Sequence, residues 1–501
     1  MNGAGQRKCI PKEEAASPTV MNESTFLTAG IAAYEKRHMR TGDVPAAFVN
    51  TTTDEDVLMV LRGELAELMI KLEPRVYRKY VASDARGKPV LYVRLQKALY
   101  GLLRSALLFY RKFRAELEAY GFEVNPYDPC VANKMVGDKQ MTVIWHVDDI
   151  MATCENDFEL TRLFSYLGDI YGPRLTMTKG NKHEYLGVTY ELEDTEVAVS
   201  MFQFIDEMLE EFPEEIKSSS ATPAADHLFK IREDGKRLSE EQASLFHHFT
   251  AKLLFLSGRA RRDIQTAVAF LTTRVKAPDE DDWGKLKRVM KYLYGTRRLK
   301  LRISIDNLSF VKWWIDGAHN VHWDLKGHTG AIMRLGKGAL ASYSRRHKLN
   351  TRSSTETEIV SVDQMMPEVL HSLRFLRAQG YDVNHAKVYQ DNKSAQLLEI
   401  NGRFSSTKRT KHIDAKFFFV KDQVDKGDIS IENCPAEIMW ADGNSKALQG
   451  KAFRVQRSEM MNCPVDYIDE TNVINSQPGK ENATPNQRQA KSIAYRMTKS
   501  R

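Results

Sequence analysis

The feature that most constrains the fold is a pair of adjacent carboxylates, Asp148 and Asp149, between two apolar runs. The runs are Met-Thr-Val-Ile-Trp at 141–145 and Ile-Met-Ala at 150–152, and each is typical of a short buried strand. A tight turn between such strands places both acids at the tip of a β-hairpin. A turn also favours Asp for local hydrogen bonding, so the tetrapeptide leaves two interpretations open, an ordinary turn and a site for hard metal ions.

Two further motifs precede this hairpin. Asp43 opens Asp-Val-Pro-Ala-Ala-Phe at 43–48, and Lys-Ala-Leu-Tyr-Gly-Leu at 97–102 leads into an amphipathic helical pattern. Two divalent ions held about 3.5–4 Å apart by such acids clamp the attacking and leaving oxygens of a phosphoryl transfer. Polymerases work by this chemistry, and the order in this chain is an acid, then a glycine turn and a helix, then the paired acids.

With these three motifs in this order, the chain resembles the reverse transcriptase of copia-type LTR retrotransposons. The resemblance implies an α+β, right-hand polymerase palm in which Asp43 and Asp148 bind both catalytic Mg²⁺ ions, with Asp149 in support; Mn²⁺ could replace Mg²⁺. It implies that Phe48 abuts the incoming sugar, although an ordinary core aromatic residue fits about as well. It also implies that Gly101 lets the backbone approach template and nucleotide, because glycine has no Cβ.

Three comparisons with the family pattern bear on activity. His-Glu-Tyr-Leu-Gly at 183–187 is similar to the family's hairpin that grips the primer terminus. His146 stands where many relatives have Tyr, a change that spares the metal ligands but alters primer contacts. Residues 1–42 are few for the fingers strands expected before Asp43, which would carry basic groups for the triphosphate. We therefore expect truncated fingers.

The second half of the chain predicts the element order of a ribonuclease H fold. A long helical pattern runs from about Ser353 to Ala378, and Pro367 is expected to kink or divide it. A meander of three strands precedes this helix, and two more strands and a short helix containing Asp442 follow it. The strand-like runs lie at 309–315, 330–333, 339–343, 387–390 and 429–431.

Four acids fall at the corresponding places of this order. Ser353 and Glu356 have capping-box spacing, and Glu358 lies about 200° further round the helix, so Glu358 is the better ligand. The copia-type resemblance agrees, since Ser-Ser-Thr-Glu-Thr-Glu at 353–358 matches a motif whose second Glu is catalytic. It implies two Mg²⁺ ions and hydrolysis of RNA phosphodiesters. The implied ligands are Asp316, Glu358, Asp391 and Asp442.

Charge is consistent with a polyanionic partner but does not identify one. The formal net charge is +7 and the sequence pI about 8.9. Basic clusters at 259–262, 297–298, 345–348 and 408–411 could neutralise phosphates or could be solvated faces. His412, next to the last cluster, is interpreted as part of a basic surface rather than as a substrate contact.

Several protein classes are excluded by composition. The five cysteines are scattered and form no Cys-x-x-Cys pair, so neither a disulfide framework nor a zinc site is expected. No secretory leader or bilayer-spanning stretch is present, which predicts an intracellular protein, cytoplasmic or nuclear, without a membrane partner. The sequence also lacks the protease and integrase signatures of a retrotransposon polyprotein.

The length of 501 residues predicts about three domains. We expect an RNA-directed DNA polymerase that uses an RNA template, a DNA primer and deoxynucleoside triphosphates, with ribonuclease H acting on the RNA–DNA hybrid. The alternatives are an inactive remnant that binds nucleic acid, or ribonuclease H activity alone. The predicted regions are an unstructured or atypical N-terminus (1–23), palm and partial fingers (24–217), linker and helical thumb/connection (218–308), an RNase H-like α/β domain (309–450) and a disordered basic tail (451–501).

Overall fold

The computed structural model of the chain describes residues 6, 10–53, 56–402, 414–467 and 469. Strands of the described residues form four sheets, with helices packed against them. This mixed helix and sheet architecture confirms the predicted α+β, multidomain fold class.

The first sheet is antiparallel and five-stranded, in the order β1-β8-β7-β6-β5. Its central strand β7 is buried from Met141 to Trp145, as an uninterrupted apolar run predicts. A smaller sheet, β2-β4-β3, is formed by residues between Phe48 and Lys97 and exposes several large apolar side chains, including Leu58. The elements are α1 (Lys12–Ala15), α2 (Asn22–Tyr34), β1 (His38–Asp43), β2 (Leu58–Arg62), α3 (Glu64–Leu72), α4 (Pro74–Tyr77), β3 (Ala82–Ser83), β4 (Pro89–Arg94), α5 (Ser105–Ala119), β5 (Glu123–Val124), β6 (Val131–Val136), β7 (Lys139–His146), β8 (Asp149–Cys154) and α6 (Asp157–Tyr171).

The next sheet, β12-β11-β10-β9, is antiparallel. A helical region lies between its strands β11 and β12 in the sequence. Val199 of β11 pairs with Leu301 of β12, although about a hundred residues separate them. The predicted division between 24–217 and 218–308 therefore cuts across one sheet, while residues 218–223 are irregular as expected of a linker. The elements are β9 (Lys182–Tyr185), β10 (Val188–Leu192), β11 (Glu196–Ser200), α7 (Phe202–Glu211), α8 (Glu240–Ser257), α9 (Gln265–Arg274), α10 (Glu280–Gly295) and β12 (Leu301–Ser304).

The last sheet has the order β15-β14-β13-β16-β17. Strands β13, β14 and β15 form the predicted antiparallel meander, and β16 and β17 join parallel to β13. Helix α11 continues through Pro367 as one element, so the predicted division of this helix is wrong. The elements are β13 (Phe310–Ala318), β14 (His328–Arg334), β15 (Ala341–Arg346), α11 (Ser354–Ala378), β16 (His385–Gln390), α12 (Lys393–Asn401), α13 (Asp414–Asp425), β17 (Ile429–Asn433), α14 (Asp442–Ser445) and α15 (Gly450–Met461).

Both ends predicted to be irregular contain structure. The N–H of Met21 donates to Asp128 Oδ2 at 3.0 Å, which attaches the residues before α2 to the first sheet. The predicted disordered tail is wrong for residues 451–461, because they lie in α15. This helix buries Phe453 and Met461 against the region of β12, so its apolar side chains are part of the core. The rest of the predicted tail lies largely outside the described residues.

A close approach between α14 and β14 depends on one glycine. A Cβ at Gly330 would lie 2.4 Å from the carbonyl oxygen of Ala441 and 2.6 Å from the backbone nitrogen of Ser445. Only a residue without a side chain allows α14 to pack this closely. The contact places Asp442 and Ser445 beside the end of the sheet where Asp316 lies.

Candidate active sites

The first site lies where β1 meets the hairpin of β7 and β8. Asp43 at the end of β1 pairs in antiparallel register with Asp149, the first residue of β8. His146 pairs with Asp149, so Val147 and Asp148 form the turn of a two-residue hairpin. Val147 has φ +57°, a conformation that β-branched residues rarely adopt. The predicted β-hairpin is confirmed, and it brings the three acids to one edge of the sheet.

Backbone and side-chain hydrogen bonds position these acids. The N–H of Val44 donates to the carbonyl oxygen of Asp148 at 3.0 Å, and the Tyr100 hydroxyl donates to Asp148 Oδ2 at 3.2 Å. The N–H of Asp43 donates to Thr176 Oγ1 at 2.9 Å. A Cβ at Gly42 would lie 2.5 Å from the carbonyl oxygen of Thr176, so this approach requires glycine.

The three carboxylates repel one another in a partly buried place. Burial, and then the charges of Asp148 and Asp43, raise the pKa of Asp149 to about 6. Burial and the charge of Asp148 also raise the pKa of Asp43. Burial lowers the pKa of His146, which favours its neutral imidazole. Bound cations would relieve the repulsion among the acids.

The second site is a tighter cluster at the carboxyl ends of β13 and β16. Asp316 lies in β13, Glu358 in the first turns of α11, and Asp391 directly after β16. One carboxylate oxygen from each lies within 4.8 Å of those of the other two, the only such set of potential metal ligands in the described part of the chain. The acids of the first site do not converge this closely.

Lys446 holds the fourth acid next to this cluster. Its Nζ lies 2.7 Å from Asp442 Oδ1 and 3.3 Å from Asp316 Oδ2, and the Ser445 hydroxyl donates to the same Asp316 oxygen. Burial and the charge of Asp316 raise the pKa of Asp442 to about 6. Burial, followed by the charges of Asp316 and Asp391, raises the pKa of Glu358 well above its usual range. Asp442 is thus beside the three-carboxylate cluster but outside it.

Glu356 has a structural role, as its spacing predicts. Its N–H donates to Ser353 Oγ at 3.2 Å, and its Oε2 accepts from the N–H of Arg352 at 2.7 Å. The carboxylate therefore caps the start of α11. Glu358, which points to another side of the helix, is the residue that joins Asp316 and Asp391.

Comparisons with known proteins bear on the identity of the first half. A family model for reverse transcriptase (RNA-dependent DNA polymerase) matches residues 1–225. The similarity to this reverse transcriptase family therefore covers the first 225 of the 501 residues. This part of the chain contains the first acidic site, from Asp43 to Asp149.

Two relatives extend this reverse transcriptase resemblance over most of the chain. The Pol polyprotein of transposon TNT 1-94 from Nicotiana tabacum is 24% identical and aligns with 91% of this chain and 33% of its own length. The Pol polyprotein of transposon RE2 from Arabidopsis thaliana is 26% identical and aligns with 90% of this chain and 29% of its own length. The chain thus spans about a third of the length of these relatives. The predicted resemblance to copia-type Pol polyproteins is confirmed.

One of the solved structures that match this chain shows only a distant likeness to it. The protease-reverse transcriptase of prototype foamy virus aligns with 81% of this chain and 45% of that chain, at 14% identity and a TM-score of 0.19. A likeness of this size does not bear on the geometry of either site.

The two residues predicted to contact the nucleotide, Phe48 and Gly101, differ in their surroundings. Phe48 is 8% exposed, and its ring centroid lies 4.3 Å from that of Tyr100 and 6.4 Å from that of Phe109. Gly101 is exposed and has φ +95°, which favours glycine. Phe48 therefore packs on the tyrosine that contacts Asp148, and contact with the sugar stays a prediction for it.

The segment predicted to grip the primer, residues 183–187, forms a hairpin with the strand that follows it. Strands β9 and β10 are joined by Leu186 and Gly187, which have φ values of +52° and +74°. Positive φ at both central residues is typical of the two-residue turns that suit a twisted hairpin. Tyr185 of β9 is buried, and burial, followed by the charges of Tyr190 and Asp149, raises the pKa of its hydroxyl.

Two arginines of cluster 259–262 fit neither of the two predicted interpretations, phosphate neutralisation or a solvated face, because both are buried. Arg261 is fully buried, forms an ion pair with Asp263 at 2.7 Å and donates to the carbonyl oxygen of Thr296 at 2.9 Å. Arg262 is 4% exposed and donates to the carbonyl oxygen of Leu340 at 2.8 Å. Both arginines therefore stabilise the fold of the chain. Cluster 408–411 and His412 lie outside the described residues.

Sequence patterns missed three residues that contact the predicted acids: Tyr100, Thr176 and Lys446. Tyr100 was inside a recognised motif, next to Gly101, but nothing local indicated that its hydroxyl reaches Asp148. Lys446 follows Asp442 by four residues, a spacing that brings side chains together on a helix and could have indicated the pair.

Proposed function

We propose that the chain is an RNA-directed DNA polymerase of a copia-type retrotransposon with a second, ribonuclease H site. The observation that carries the polymerase assignment is the register of Asp43 opposite Asp149, with Asp148 in the adjoining turn. The similarity of residues 1–225 to the reverse transcriptase family supports the same assignment. Its substrates would be an RNA template, a DNA primer and deoxynucleoside triphosphates. The protein would act in the cytoplasm or the nucleus.

Asp43, Asp148 and Asp149 would hold Mg²⁺, for which Mn²⁺ could substitute. Carboxylate oxygens are the ligands that these hard cations prefer, and the mutual repulsion of the three acids suits a cationic ligand. When bound, the ions supply charge stabilisation to the attacking and leaving oxygens of the nucleotide transfer. The chain itself orients Asp148 through Val44 and Tyr100, so that this carboxylate faces the site before substrate arrives.

Asp316, Glu358, Asp391 and Asp442 would hold the cations of the second site. The close approach of the first three acids and their burial fit a divalent ion. The site would hydrolyse the RNA strand of an RNA–DNA hybrid. Lys446 would orient Asp442 and Asp316 through its ammonium group.

Primer extension on an RNA template with the whole chain and Mg²⁺ tests the polymerase. Asp148→Asn is expected to abolish DNA synthesis, because the neutral amide is a weaker ligand for a hard cation. Asp138→Asn is the matched control, since Asp138 is an exposed acid in the turn between β6 and β7 of the same sheet. Equal extension by both variants would contradict the assignment. A wild-type chain that binds the primer–template but extends nothing would favour the inactive remnant.

Ribonuclease H activity alone is the second candidate function. It is favoured by one observation, namely that the close three-carboxylate cluster of the described residues lies in the second site and not in the first. Cleavage of labelled RNA in a hybrid should be lost in Glu358→Gln and kept in Glu437→Gln, an exposed acid. Cleavage without primer extension would establish this candidate in place of the polymerase.

A further inference from the structure

A cavity of about 280 Å³ lies beside α10 and the segment 220–227. In the described structure, no carboxylate of either acidic site lines it. Four cationic side chains line it against a single carboxylate, Asp281, among the described lining residues. These cations are Lys285, Lys287, Arg288 and Lys291.

Two of the four positive charges have acidic partners. Lys285 lies 2.9 Å from Asp281, and Lys287 pairs with Glu214. Arg288 is instead positioned by Thr222, donating to its carbonyl oxygen at 3.2 Å and its hydroxyl at 2.9 Å. Neither Arg288 nor Lys291 forms an ion pair with any described residue. Even with Asp281 in the lining and Glu214 close enough to feel the charges of Lys287 and Lys291, the four cations leave the cavity with an excess of positive charge.

Gly284 keeps one wall of this cavity open. It lies inside α10, four residues before Arg288 and seven before Lys291, so the three share a face of the helix. A Cβ built at Gly284 meets no heavy atom within 4 Å. Packing therefore does not require glycine here, although glycine disfavours a helix interior. The missing side chain leaves room next to the unpaired cations.

We propose that this cavity binds phosphate groups. Ammonium, guanidinium and hydroxyl donors with excess positive charge are the chemistry that recognises phosphate. At about 30 Å³ per water, the volume corresponds to roughly nine waters, which is enough for a few phosphate groups but not for a duplex. The phosphates belong either to the backbone of one nucleic-acid strand or to a free polyphosphate.

The test measures binding to the whole chain in EDTA, where neither proposed reaction proceeds. Titration calorimetry with inorganic tripolyphosphate measures binding of a free polyphosphate. Fluorescence anisotropy with a labelled oligothymidine measures binding of a nucleic-acid backbone. Gly284→Glu places an acid in the cavity, and Lys291→Gln removes an unpaired cation. Gly168→Glu is the matched control, because Gly168 lies inside α6 and its Cβ would also meet nothing within 4 Å. Glutamate favours a helix more than glycine does, so both helices should form.

We expect wild type and Gly168→Glu to bind tripolyphosphate alike, Gly284→Glu to bind at least about tenfold more weakly, and Lys291→Gln to be intermediate. If oligothymidine binding weakens in parallel, and Lys291→Gln lowers its salt dependence by about 0.7 in log–log slope, the strand backbone is the ligand. If oligothymidine binding is unchanged, a free polyphosphate is the ligand. Absence of saturable tripolyphosphate binding, or equal affinities in all four proteins, would overturn the proposal and leave the polymerase assignment intact.

Discussion

At the scale of single residues, Lys446 matters because it already supplies a positive charge to the second acidic site. We expect Lys446→Met to lower the free energy of unfolding in EDTA, since Asp316 and Asp442 would face each other without a cation. Lys446 is 42% exposed, which limits the loss to about 1 kcal/mol. Thermal unfolding with and without Mg²⁺ measures this effect, and Mg²⁺ should raise the Tm of the variant more than that of wild type.

Lys451→Met is the control for this change, because Lys451 is an exposed lysine in α15. If the two variants have equal stability in EDTA, Lys446 does not support the acids in the way described.

Glu399 in α12 is a second residue whose charge is expected to affect the stability of the chain. Its side chain is fully buried, and neither carboxylate oxygen has a hydrogen-bond partner among the residues that the structure describes. Burial raises its pKa from an ordinary value of 4.5 to about 8. Between pH 4.5 and about 8 the folded chain therefore keeps a proton that the unfolded chain has lost. The free energy of unfolding consequently falls as the pH rises through this range.

We expect Glu399→Gln to be as stable as wild type near pH 4 and more stable by about 3 kcal/mol at pH 7, because glutamine does not ionise. Urea denaturation across this pH range measures the difference, with Glu437→Gln as an exposed control. A constant difference between wild type and variant at all pH values would show that Glu399 ionises normally in the folded chain.

At the scale of elements, α11 shows packing overriding a local signal. Pro367 lacks an N–H and disfavours a helix interior, yet the helix continues because its buried face, from Ile359 to Leu376, packs on the sheet that contains β13 and β14. Pro367 itself is exposed. We expect Pro367→Ala to stabilise the chain by about 1–3 kcal/mol in urea denaturation, since it restores a helical hydrogen bond without removing a core contact.

Pro213→Ala is the matched control for the helix substitution. Pro213 lies in an exposed, irregular segment, where alanine only increases the freedom of the unfolded chain and should destabilise slightly. The two substitutions are thus expected to have opposite signs, and a loss of stability in both would argue against a strained helix at Pro367.

The elements that sequence predicted well are those that local pattern determines. The hairpin of β7 and β8, the meander of β13 to β15 and the bounds of α11 follow from apolar periodicity and a capping Ser353. The burial of Arg261 and the bond from Tyr100 to Asp148 depend on chain segments far apart in sequence. Local pattern carries no information about such partners, so the acids were predictable and their supporting residues were not.

At the scale of the whole molecule, the two acidic sites belong to one packed body. One connected cluster of buried apolar side chains includes residues of both halves, from Val20 to Met461. None of the described helices is long and apolar enough to cross a membrane. The end of α11 meets the first sheet through hydrogen bonds, among them Gln140 to the carbonyl oxygen of Gln379 at 2.6 Å. Because Glu358 lies 21 residues before Gln379, α11 spans about 32 Å between this contact and the turn that carries Glu358.

Arg37 tests whether the two halves are thermodynamically one unit. It is 4% exposed, forms an ion pair with Glu35 at 2.7 Å, and donates to the hydroxyls of Thr142 and Tyr381, each at 3.0 Å. Because the core is continuous, we expect one calorimetric transition for the wild-type chain. Arg37→Met leaves several buried polar groups unpaired and should lower the free energy of unfolding by about 3 kcal/mol while keeping a single transition. Two transitions, of which only one has a lower Tm in the variant, would mean that the two halves unfold independently. The hydrogen bond from Arg37 to Tyr381 would then not couple their unfolding.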